Sequence, residues 1–85
     1  MNPISDIKRF VLRALFRLKG VPWPDPLMDD AVRQGILPRP LQSDISQAKR
    51  ELDAAGYMQG NRDDLDDLVT WTLTEKGSHK AKQLG

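Results

Sequence analysis

The feature that most constrains this chain is a change of hydrophobic period on either side of Gly56. Upstream, in SDISQAKRELDAAGYM, Leu41, Ile45, Ala48, Leu52 and Ala55 share one narrow stripe of a helical wheel. Downstream, in TWTLTEKG, Val69, Trp71 and Leu73 alternate with Thr70 and Thr72, the period-two pattern of a half-buried strand, with Trp71 turned to the core. Tyr57-Met58-Gln59 begins a partner strand. The stretch from Ser43 to Gly77 therefore reads as an amphipathic helix, a hairpin with an irregular tip and the start of a second helix.

The rest of the chain supplies two more helices. Ser5 or Asp6 can cap a first one running to about Lys19, with Gly20 as its stop. Ile4, Ile7, Phe10, Val11, Ala14, Leu15 and Leu18 fill an apolar arc of roughly 140° on it. Leu12 and Phe16 lie outside that arc and need a second cover, from the C-terminal helix or from another subunit. Arg9, Arg13 and Arg17 recur at a spacing of four, as a solvated face or as a contact for phosphate or carboxylate groups. The prolines of Val21-Pro22-Trp23-Pro24-Asp25-Pro26 forbid helix and leave a stiff connector with room for a very short edge strand. Asp25 as cap and Pro26 in the first turn start a second helix, with Leu27, Ala31 and Val32 inward and a stop at Gly35. The expected helices are thus about 5–19, 26–34, 41–55 and 75–84, with the hairpin at about 57–73. The fold class is α+β, mainly α: a three-helix core, a β-hairpin and a short C-terminal helix capped by Thr74.

Eighty-five residues make one domain, 1–85, whose function must lie on its surface. The absence of cysteine excludes a disulfide framework and a thiolate metal site, and suits a reducing compartment. No apolar run is long enough to span a bilayer, so no membrane role is expected and the cytoplasm is the expected location. The net charge is only +1, but it is segregated. Residues 1–19 hold five basic and one acidic side chain, residues 56–74 one basic and four acidic, and residues 75–85 three basic and one acidic.

Catalytic chemistry is not legible. His79 is the sole histidine and sits among lysines, so neither a nucleophile triad nor a four-ligand zinc site can be assembled. The glycines occupy element boundaries and form no phosphate-binding loop. Asp63, Asp64, Asp66 and Asp67 lack the alternating oxygen ligands and closing glutamate of an EF-hand. No enzyme activity, metal or cofactor is expected. The outer face of helix 41–55 is different in kind, because Ser43, Ser46, Gln47 and Arg50 lie opposite its apolar stripe, with Gln42, Lys49 and Asp53 on one flank. These groups donate and accept as base edges require: glutamine pairs with adenine and arginine with guanine. Arg39, just before the helix, is placed for the phosphate backbone.

Arg50-Glu51-Leu52, Ala55-Gly56-Tyr57-Met58 and Trp71-Thr72-Leu73-Thr74-Glu75-Lys76-Gly77 resemble winged helix-turn-helix transcription regulators, including the PadR-like and MarR-like groups, in a minimal version. The resemblance spans nearly the whole chain. It implies a small bacterial or phage-type regulator that reads the major groove of double-stranded DNA with helix 41–55. By position it implies DNA contacts at Arg39, Gln42, Ser43, Ser46, Gln47 and Arg50, and at Arg62 on the wing. The wing tip, Asn61 to Asp67, carries four carboxylates where a DNA-contacting wing is neutral or basic. The alternative is therefore a protein-interaction module acting through the acidic wing 61–67, with Leu65 as its apolar contact. If two copies pair, Leu12 and Phe16 are the expected interface.

Overall fold

A computed structural model describes residues 2–84 and orders them as α1 (Pro3–Arg17), β1 (Trp23–Pro24), α2 (Asp25–Gly35), α3 (Gln42–Ala54), β2 (Met58–Arg62), β3 (Val69–Leu73) and α4 (Glu75–Gln83). It is a mainly helical α+β arrangement, as the hydrophobic periods require. The sheet is antiparallel in the order β1-β3-β2, so the Trp23-Pro24 edge strand forms and pairs Trp23 with Trp71.

Helix α1 starts earlier than Ser5 or Asp6 would place it. Asn2 accepts a hydrogen bond from the Ile4 N–H at 3.0 Å, and Pro3 occupies the first turn, where no donor is needed. Along α1, Ile7, Val11 and Leu15 enter the core, where they meet Met28 and Val32 of α2 and Ile45, Ala48 and Leu52 of α3. The inward face of α2 differs from the expected one: Met28 and Val32 are buried, whereas Leu27 is 56% exposed. Leu41, expected on the buried stripe of α3, is 68% exposed because it adopts the extended conformation of the N-cap and leaves the helical wheel. Ala55, expected on the same stripe, lies just past the last turn and is exposed.

Of the two covers expected for Leu12 the structure supplies the C-terminal helix, which removes Leu12 as a contact between copies. This leucine is 3% exposed and shares a hollow with Tyr57, Lys80 and Leu84, so its second cover is α4 and not another subunit. Phe16, one turn later, remains 39% exposed.

The base of the hairpin is locked to both neighbouring helices. Gly56 takes a φ of +80° to turn the chain from α3 into β2. The Thr74 hydroxyl donates to the Gly56 carbonyl at 2.5 Å and accepts from the Gly77 N–H at 3.0 Å, so one threonine caps α4 and fastens it to that turn. Gly77 lies so close to β2 that a Cβ there would stand 1.8 Å from the Tyr57 carbonyl oxygen. Among the described residues no helix is long and apolar enough to cross a membrane.

Candidate nucleic-acid interface

Helix α3 buries Ile45, Ala48 and Leu52, and this fixes which side chains face outward. Ser43, Gln47 and Arg50 are exposed and Ser46 is half-buried beside them. The flanks of the helix are tied to its neighbours by two different ion-pair systems.

On the α2 flank, the Lys49 ammonium lies 2.8 Å from an oxygen of Asp25 and 2.8 Å from one of Asp29. The Asp25 oxygen that takes Lys49 also accepts the Trp71 indole N–H at 2.8 Å, which joins α2, α3 and β3 at one point. The side chains of Lys49 and Asp29 are only 12% and 13% exposed. Burial by itself pushes the Asp25 carboxyl up, but the hydrogen bonds from Lys49 and Trp71 outweigh it and hold that carboxyl below its ordinary range. Burial likewise pushes the Lys49 ammonium down, and the hydrogen bonds and charges of Asp25 and Asp29 reverse this and raise it.

This latch corrects two expectations. Asp25 does not cap α2, because Pro24 takes the cap position and the carboxylate is used by Lys49 and Trp71. Trp71 is half-buried and not fully in the core, with its polar edge satisfied. The signal in the sequence was the spacing of Asp25 and Asp29, which puts two carboxylates on successive turns of one helix face.

On the α1 flank, Lys8 contacts Glu51 at 2.6 Å. Glu51 also accepts from Gln47 at 2.8 Å. The Lys8 hydrogen bond, followed by that of Gln47, keeps the Glu51 carboxyl below its ordinary range.

The candidate contacts fall into two groups. Arg39, Ser43 and Arg50 are exposed and make no side-chain hydrogen bond or ion pair among the described residues. Gln42 is engaged: its carbonyl oxygen accepts from Arg33, and its amide nitrogen faces Asp29 at 3.3 Å and Ser46 at 3.4 Å. Arg62 does not reach past the wing aspartates; it pairs with Asp67 at 3.3 Å, both side chains being largely solvated. The tip is closed by Asp63, whose N–H donates to the Leu68 carbonyl at 2.9 Å and whose side chain accepts from the Leu65 N–H at 2.8 Å. Leu65 stands 93% exposed at its apex. Among the described residues no three His, Cys, Asp or Glu side chains are gathered to hold a metal ion.

This arrangement of helices and strands is similar to that of a solved structure. An apo double mutant of ZitR from Lactococcus lactis superposes with a TM-score of 0.67 over 94% of this chain, at 21% sequence identity. The fold is a winged helix. The chain spans 55% of the length of that ZitR chain. No family model matches the sequence, and no curated protein matches it. In the winged-helix frame α3 is the helix that precedes the wing, and β2 and β3 are the wing itself.

Proposed function

We propose that this chain is a DNA-binding winged helix, a small bacterial or phage-type transcriptional regulator that lays α3 in the major groove. The observation that carries the reading is the outer face of α3. Ser43, Ser46, Gln47 and Arg50 lie outward between two latches, Lys49 to α2 and Lys8 to α1, which hold the helix by its flanks and leave that face open. Arg50, with no partner carboxylate among the described residues, suits a bidentate contact to guanine, and Gln47 suits adenine once released from Glu51. Ser43 and Arg39, at the start of the helix, suit phosphates. Gln42 serves this face indirectly, by joining α3 to α2 through Arg33 and Asp29.

The test is binding to random-sequence and selected duplexes at two salt concentrations, for the wild type and for Arg50→Ala. Phosphate neutralisation requires affinity to fall with salt. Loss of a base contact should weaken binding to the selected site by about 1 to 3 kcal/mol at unchanged melting temperature. Salt-independent binding, or equal affinity in the variant, overturns the reading.

The acidic tip supports a second reading, in which the wing docks on a basic protein surface. The observation favouring it is Leu65, isolated and exposed between two pairs of aspartates.

A further inference from the structure

We propose that the basic groove between α1 and α4 receives the acidic wing tip of a second copy of this chain. The groove is an open hollow of about 400 Å³ lined by Arg13, Phe16, Arg17, Ala81 and Lys82. One wall of it is Phe16, an aromatic side chain left 39% exposed. Among the described residues no carboxylate pairs with the cations around it. Arg13 donates to the Leu84 carbonyl at 3.1 Å, and neither Arg17 nor Lys82 forms an ion pair among the described residues. Asp6, which lines a neighbouring hollow with Arg13 and Arg17, is matched by Arg9 at 3.6 Å, and Glu75 on α4 lines the next hollow along with Lys76, His79 and Lys82 and forms no ion pair among the described residues.

The occupant is identified by complementarity. The tip presents Asp63-Asp64-Leu65-Asp66-Asp67, an apolar side chain with two carboxylates on each side. The groove presents Phe16 with Arg13 and Arg17 together on one side of it around α1 and Lys82 on α4, so apolar meets apolar and the carboxylates meet the opposite charge. The chain's own tip cannot fill the site. Helix α4 begins at the base of β3, and five residues of strand carry the tip about 15 Å away from it. The groove is also not an extension of the DNA-facing surface. Arg17 and Lys8 project about 180° apart around α1, and Lys8 is the residue that faces α3. The two surfaces differ, so the contact either closes as a reciprocal pair or continues as an open chain.

This inference rests on the wing being a docking element, and the experiment separates the two. Sedimentation of the full chain at low salt should show concentration-dependent association that weakens at least tenfold near 1 M salt, where the Debye length is about 3 Å. Asp64→Lys with Asp66→Lys, and separately Arg17→Glu with Lys82→Glu, should each be monomeric. All four positions are exposed, so melting temperatures should be retained. An equimolar mixture of the two variants should restore a one-to-one complex through the swapped charges.

A monomeric wild type at low salt, association insensitive to salt, or a mixture that stays monomeric overturns the proposal. An oligolysine peptide serves as a basic probe. If it binds the wild-type wing while the chain itself stays monomeric, the copy-to-copy contact fails and the docking wing survives; if neither binds, both fail. Weakened DNA affinity of Arg17→Glu with Lys82→Glu, at concentrations where the wild type is monomeric, would assign the groove to phosphates and overturn the proposal as well.

Discussion

Lys49→Met removes the cation from the latch and leaves its two carboxylates in place. For a fully buried pair, loss of one partner costs about 3 to 5 kcal/mol, because the remaining charge is desolvated and unmatched. For a solvated surface pair the cost is about 0 to 1 kcal/mol. Lys49 and Asp29 are nearly buried, but Asp25 is 32% exposed and keeps the Trp71 N–H, so water and the indole relieve part of the penalty. About 2 kcal/mol is the expected loss, out of a total stability of about 4 to 13 kcal/mol for a chain of this size. At about 4 to 8 °C per kcal/mol, the melting temperature should fall by about 8 to 16 °C. The assay is thermal and urea denaturation followed by circular dichroism, for Lys49→Met, Asp29→Asn and the double variant. Since Asp29→Asn removes one of the unmatched carboxylates, the double variant should recover about 1 kcal/mol relative to additivity. A loss below about 0.5 kcal/mol in Lys49→Met would refute the reasoning, because it would mean that the three charges are fully solvated and that the latch does not hold α3.

The same latch sets a pH dependence. The Asp25 carboxyl is lowered in the folded chain, so its contribution is present above the unfolded value of about 3.9 and is lost as pH falls through the folded value; the Lys49 ammonium is raised, so its contribution is present below about 10.4 and is lost as pH rises through the folded value. Lys49→Met should flatten the stability curve at both ends, and an unchanged curve would count against this account. Gly77→Ala should cost at least about 3 kcal/mol, since its Cβ meets a backbone oxygen that cannot swing away; a melting temperature like the wild type's would show that α4 can shift off β2. Replacing Asp63, Asp64, Asp66 and Asp67 with asparagine should tighten DNA binding and steepen its salt dependence, as repulsion near phosphates is relieved, and weaker binding in a filter or anisotropy assay would exclude that repulsion.

The order of elements was determined by local rules that act over a few residues. The helical stripe of α3, the alternation in β3, the proline-rich connector and the Thr74 cap each depend on neighbours within one or two turns, so the winged-helix architecture was legible in the chain alone. The start of α1 is equally local, a cap at Asn2 followed by a first-turn proline. The outward position of Ser43, Gln47 and Arg50 follows for the same reason, because burying Ile45, Ala48 and Leu52 leaves them no other side. Tertiary structure alone decided what depends on residues far apart in sequence. Asp25 reads locally as a cap, but Lys49 and Trp71, at separations of 24 and 46 residues, make its carboxylate a junction of three elements. Leu12 reads locally as a residue in need of a second cover, and only the return of α4 selects which one. A polar or apolar group on a helix flank has several possible partners of equal local merit, and the choice among them is made by which packing satisfies all of the buried groups at once.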